Sequence, residues 1–170
     1  MKTLHLLRHA KSSRDDPDLP DHDRPLADRG REAAAWVGRH MAGRGLAPGL
    51  VLCSTARRAE DTLALALSAA GAGWPVERER GLYLAGAPAL LDRLRRIPDE
   101  VGSVLLVGHN PDLHDLARDL ASSGDGEALA GLRQGFPTAT LAGIEFDVPS
   151  WRELAAGSGR LVGYTVPRKT

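Results

Sequence analysis

The sequence predicts an α/β fold in three layers, α/β/α, with helices on both faces of a mainly parallel sheet. Three observations carry that prediction. The runs "TLHLLR" (3–8), "GLVLCS" (49–54) and "SVLLVG" (103–108) are short and apolar enough to lie in a sheet covered on both sides. Longer amphipathic segments separate them, with apolar residues three or four positions apart. The resulting order, β-α-β-α-α-β-α-β-β, is that of a sheet built from crossover connections.

Each element follows in turn. The first strand ends in Arg8 and His9 and runs into "SSRDDPDLPDHDRPL" (12–26), a Pro- and Asp-rich stretch that predicts an irregular loop over one end of the sheet. "DRGREAAAWVGRHMAGRG" (28–45) predicts a helix with Ala34, Val37 and Met41 on its apolar stripe and Gly43 or Gly45 as its stop. After the second strand, "ARRAEDTLALALSAAGAG" (56–73) predicts another, burying Ala59, Leu63, Ala66 and Leu67. "PALLDRLRRIP" (88–98) is a shorter third. Beyond the third strand, Asn110 is placed to cap a fourth helix with Pro111 at its first position, where a missing N–H does no harm. A polar stretch, "SSGDGEA" (122–128), precedes two further strands, "TATLAGIEFDV" (138–148) and "GRLVGYTV" (159–166).

Size and composition narrow the function. At 170 residues the chain is read as one domain, 1–170, long enough for a full core. Its 22 basic and 22 acidic residues cancel, so no global field recruits nucleic acid or an anionic membrane, and any anion site is local. Cys53 is the only cysteine, which excludes an internal disulfide and suits a reducing compartment. No apolar run approaches the ~20 residues of a membrane span, and His5 and Arg8 interrupt the N-terminus too early for a signal peptide. A cytoplasmic protein is expected.

Ligands of such sheets bind beyond the carboxyl ends of the strands. One strand end delivers Arg8 and His9, another leads into Arg57 and Arg58, and a third delivers Gly108, His109 and Asn110. Two histidines and an arginine meeting beside helix N-termini are the parts of a phosphate site. Arg58 in a helix's first turn opposes the macrodipole at a cost of ~0.3–1 kcal/mol, and a bound dianion would reverse the sign. Against this, an Arg-His pair at a strand end is by itself more often an exposed edge, and an arginine there can simply reach into solvent.

Other chemistries fail. No Gly-rich loop is followed by Lys-Ser/Thr, which argues against a P-loop nucleotide enzyme. "GSGRLVG" (157–163) has no helix after it. His5 and His9 find no further zinc ligands at a recognised spacing, so neither metal nor cofactor is expected, and His22, His40 and His114 are read as surface residues. In "CSTARRA", Ala59 stands where a cysteine phosphatase needs its arginine, which leaves Cys53 a buried, inert strand residue.

The segments "LLRHAKSS", "DRPLADRGREAA", "CSTARRAEDTL", "LLVGHNPDL" and "FPTATL", in this order, resemble the histidine phosphatase superfamily and its small SixA-type phosphohistidine phosphatase branch. The resemblance covers nearly the whole chain and implies a phosphoglycerate mutase-like fold. Ala10, after the first histidine, replaces the superfamily's usual glycine, as in this branch. Ser54, Arg58, Ala59 and Thr62 fit the mid-chain motif and select Arg58 over Arg57. Ala27 replaces a hydroxyl residue before the first helix, leaving that cap to Asp28 or to none. The resemblance implies His9 as nucleophile, with Arg8, Arg58 and a protonated His109 holding the phosphoryl oxygens; Ser12 and Asn110 are expected to touch substrate. Phosphorylated protein or a small phosphorylated molecule is the implied partner.

One part of the larger relatives' machinery is missing. They carry an acid before the final histidine motif, and "GLYLAGAP" (81–88) has none. Phosphohistidine, with a better leaving group than a sugar phosphate, is the expected substrate, and Asp16, Asp18, Asp21 and Asp23 of the long loop are the candidate acids. The rival readings are a phosphatase of a small phosphometabolite or nucleotide, and a phosphate-binding module without turnover.

Overall fold

In the computed structural model, which describes residues 1–167, the first strand β1 (Lys2–Arg8) lies near the middle of the sheet. It is followed by α1 (Asp28–Gly43), β2 (Leu50–Ser54), α2 (Arg57–Ala70), β3 (Val76–Glu79), α3 (Ala87–Leu94) and β4 (Ser103–Gly108). The chain continues through α4 (Asp112–Leu120), β5 (Ala121–Gly124), α5 (Gly126–Gln134), β6 (Leu141–Phe146) and β7 (Gly159–Thr165). The seven strands are ordered β3-β2-β4-β1-β6-β7-β5. Only β6 runs against its neighbours; β1–β4, β2–β4, β2–β3 and β5–β7 all pair in parallel.

Strand alternation sorts the core into two halves. Leu4, Leu6, Leu52, Val104 and Leu106 face α3, α4 and α5, whereas Leu7, Val51, Cys53, Leu105 and Val107 face α1 and α2. The predicted stripe of Ala34, Val37 and Met41 on α1 is buried, as are Ala59, Leu63 and Ala66 on α2, with Leu67 partly so. The two helices pack closely because Gly38 lies against the Ala66 carbonyl, where an added Cβ would sit 2.2 Å from that oxygen. Gly71, at φ 63°, closes α2 in the left-handed conformation that glycine adopts without penalty. Trp151 is fully buried and donates its indole N–H to the Val101 carbonyl at 2.6 Å.

Three elements lie outside the expected order. β3 is the sequence VERE at a sheet edge, whose alternating charges hide a strand from any apolar criterion. The polar stretch 122–128 holds most of β5, at the opposite edge, and the start of α5, capped by the Asp125 carboxylate on the Ala128 N–H at 3.0 Å. Asn110 does not cap α4, and Pro111 stands before the helix instead of at its first position. The Asn110 amide is drawn away by the Phe136 carbonyl, to which its Nδ2 donates at 2.8 Å. No side chain caps α1 at Ala27. No helix among the described residues is long and apolar enough to cross a membrane.

Candidate active site

The carboxyl ends of β1, β2 and β4 open onto one cleft of about 360 Å³, lined by Arg8, His9, Lys11, Ser12, Arg14, Asp21, Arg24, Arg58, His109 and Asn110 among others. Parallel register puts them there: Arg8 lies opposite Gly108, so His9 and His109 leave adjacent strands at the same level. Their rings stand 5.2 Å apart, centre to centre.

A carbonyl fixes the tautomer of His9, and a hydroxyl partners His109. His9 Nδ1 lies 2.7 Å from its neighbour's carbonyl, Ala10 O. A carbonyl only accepts, so Nδ1 carries the proton and Nε2 keeps its lone pair. His109 Nε2 lies 2.8 Å from Ser54 Oγ, and that oxygen already accepts the Ala56 N–H at 3.2 Å. The Ser54 hydroxyl has a proton to offer Nε2 while it accepts the Ala56 N–H, and in that arrangement the proton of a neutral His109 sits on Nδ1, which is buried without a partner. Both rings are pushed toward neutrality, His9 to about 4 and His109 to about 3. For His9 burial is the main cause, opposed by the Ala10 carbonyl and reinforced by Arg58, Arg8 and Arg24. For His109 burial again leads, followed by His9 and Arg58.

The arginines are equally constrained. Arg8 donates from Nη1 to the Phe136 carbonyl at 3.0 Å and keeps a buried, unpartnered Nε. Arg58, only 5% exposed, forks onto Asp21: Nη1 to the backbone oxygen at 2.7 Å and Nη2 to Oδ2 at 2.9 Å. Asp21 Oδ2 also accepts the Tyr83 hydroxyl at 2.5 Å, and Oδ1 accepts Arg24 at 2.9 Å. Burial would raise the Asp21 pKa, but these donors prevail and hold its carboxyl well below the usual range. The backbone joins the motifs. Ala10 N–H donates to Thr62 Oγ1 at 2.9 Å, and Thr62 donates to the Arg58 carbonyl at 2.7 Å. Ala139, left-handed at φ 62°, aims its N–H at the carbonyls of Arg8 and His9, both at 3.1 Å.

Comparison with known proteins agrees with this geometry. Residues 4–83 match the family model of the histidine phosphatase superfamily (branch 1). An uncharacterized protein of Mycobacterium tuberculosis is 38% identical over 164 residues, covering 95% of this chain and 100% of its own length. A structure from Agrobacterium tumefaciens, provisionally named phosphohistidine phosphatase SixA, has a TM-score of 0.80 at 30% identity, covering 98% of this chain and 99% of its own. One from Nakamurella multipartitia, described in the same way, has a TM-score of 0.83 at 31% identity, covering 98% and 96%. The chain belongs to the histidine phosphatase superfamily, in its SixA-type branch.

Membership makes it a phosphatase of phosphorylated substrates with the phosphoglycerate mutase-like fold. Within this SixA-type site, Arg8, His9, Arg58 and His109 share the cleft, together with Ser12 and Asn110. Ser12 Oγ is taken by Arg24 Nη2, and the Asn110 amide by Phe136 O, so both act first on the protein itself. Arg57 is exposed and faces Asp61 at 3.6 Å, away from the cleft. Two expectations change. The pKa of His109 is pushed down to about 3, first by burial and then by His9, Arg58 and Arg8, so the free site favours the neutral ring over the protonated one expected. The charge of Arg58 at the N-terminus of α2 is answered by Asp21, so it needs no ligand to explain it.

Of the loop acids, only Asp21 lines the cleft; Asp16 accepts the Asp18 N–H at 3.0 Å in a local turn, and Asp23 lies 3.5 Å from His22. His22 is not a plain surface residue: its Nε2 is 2.8 Å from Thr55 Oγ1 and its ring stands edge-on to Tyr83. Tyr83, which also stands edge-on to His109, was silent in the sequence. Its one signal was place, in the segment where larger relatives carry an acid.

Proposed function

We propose that this protein hydrolyses phosphohistidine, in phosphorylated proteins, through a phosphoenzyme formed on His9. One contact carries the reading: the Ala10 carbonyl holds the proton of His9 on Nδ1 and leaves a neutral Nε2 to attack. Nε2 forms a bond to phosphorus as the bond to the leaving nitrogen breaks, the electron pair departing with that nitrogen. Water then cleaves the P–N bond on His9. Arg8, Arg58 and the Nδ1–H of His109 stabilise the equatorial oxygens, whose charge is greatest in the transition state.

The choice of leaving group follows from Asp21. Its carboxyl is the only one of the loop acids in the cleft and is held ionised by Tyr83, Arg58 and Arg24, so it has no proton to give. Tyr83 is no substitute, because its pKa is raised by burial and by Asp21. A site without an acid favours imidazole over an alkoxide. The solved relatives described as phosphohistidine phosphatases lend the same support.

Rapid-quench trapping with a ³²P-phosphohistidine peptide tests the proposal. Acid-labile label is expected on His9 and none on His9→Ala, whose circular dichroism stays that of the folded protein. Label on His9→Ala would remove the nucleophile, and faster turnover of a sugar phosphate than of the peptide would remove the substrate class.

A further inference from the structure

The cleft holds more positive charge than one phosphoryl group uses. Arg8, Lys11, Arg14, Arg24 and Arg58 line it against the single carboxylate of Asp21, in a chain whose formal charge is zero. Arg8 and Arg58 serve the transferred group. Arg24 is consumed by Ser12, Ser13 and Asp21. Lys11 and Arg14 remain, both exposed, and among the described residues neither side chain takes part in an ion pair. They do not face open solvent alone: with Ser12 they also line a second cavity of about 520 Å³, where Arg29 is balanced by Asp15 and Asp28. Lys11 and Arg14 thus stand on the boundary that the two cavities share, beside the cation-rich cleft.

We propose that Lys11 and Arg14 form a subsite for a second phosphate group, so that the cleft also takes phosphoanhydrides, a di- or polyphosphate chain whose terminal phosphoryl group passes to His9. This rests on the reading of His9 as the phosphoryl acceptor. The terminal P–O bond breaks, phosphorus bonds to Nε2, and the bridging oxygen keeps the electron pair on the departing phosphate. That anion leaves without a proton, which suits a site whose one carboxyl is ionised. A guanidinium fork beside an ammonium matches a phosphate better than a lone carboxylate.

The test compares ligands on the intact protein. Calorimetry should show tripolyphosphate binding roughly tenfold or more tighter than orthophosphate, the scale of two partly solvated charge pairs. In a Lys11→Ala/Arg14→Ala variant that ratio should fall toward one. Likewise the ratio of kcat/KM for tripolyphosphate to that for an uncharged-flank phosphohistidine peptide should fall by about tenfold. Equal affinity of the two anions, or ratios untouched by the double substitution, would overturn the subsite. If ATP rather than tripolyphosphate gains from Lys11 and Arg14, the subsite stands and its phosphate chain belongs to a nucleotide. If no label ever appears on His9, the phosphatase reading fails, while the binding ratio still decides the subsite.

Discussion

Two buried neutral histidines should make the ligand-free protein acid-labile, and an oxyanion should cure it. In the unfolded chain both titrate near 6.5; folded, His9 falls to about 4 and His109 to about 3. Between those limits the unfolded chain binds more protons, so stability is full above about pH 6.5 and is lost as pH falls toward the folded values. At about pH 5 each histidine withdraws roughly 2 kcal/mol, and the pair roughly 4 kcal/mol. For a chain of this size that is a Tm lower by roughly 8–16 °C than at about pH 7.5. The assay is thermal unfolding at the two pH values for the wild type and for His9→Gln/His109→Gln. His5 and His40 are also pushed down, chiefly by burial, but they remain in both proteins and cancel in the comparison. The double variant should lose several degrees less on acidification. Tungstate should recover most of the wild-type loss, because a dianion raises both histidines. Parallel losses in the two proteins would show that the titrating groups lie elsewhere, and the burial argument for a neutral His9 would fall with them.

Arg58→Ala should lower kcat/KM by about 10²–10³, the scale of one lost preorganised donor, whereas Arg57→Ala, an exposed residue beside Asp61, should cost less than about threefold; steady-state kinetics separate them. Gly30→Ala places a Cβ 2.0 Å from the Lys11 carbonyl oxygen, backbone against backbone, and should cost about 1–3 kcal/mol or more in urea unfolding. Because Lys11 follows the nucleophile's strand end, its rate should fall as well. Thr62→Val strands the Ala10 N–H without its acceptor and should cost about 1–3 kcal/mol, with a drop in kcat that Thr62→Ser partly restores.

What the sequence made legible is what apolar pattern and spacing encode. β1, β2 and β4 are buried on both faces, so their residues advertise a central parallel sheet, and their ends bring Arg8, His9, Arg58 and His109 together without further information. The edge strands are different in kind. β3 and β5 fully bury no side chain, and α5 meets the core through Ala128, Leu132 and a partly buried Leu129, so largely polar sequence suffices for each. Asp21 stood in plain view as a loop acid. That it grips Arg58, 37 positions away, depends on how the loop folds back, which no local pattern records. The same holds for Asn110: a good capping residue in a good place was claimed by a distant carbonyl.

That carbonyl has a wider consequence. A single peptide oxygen, on Phe136, steadies both the guanidinium from the end of β1 and the amide that follows β4. Because the acceptor belongs to the main chain, replacing the aromatic ring at 136 cannot delete it; only lengthening, shortening or bending the segment between α5 and β6 can. Loop length there is therefore constrained independently of the buried Phe136 ring, and relatives that insert or drop a residue before β6 should show misaligned, sluggish centres even when Arg8, His9, Arg58 and His109 are intact.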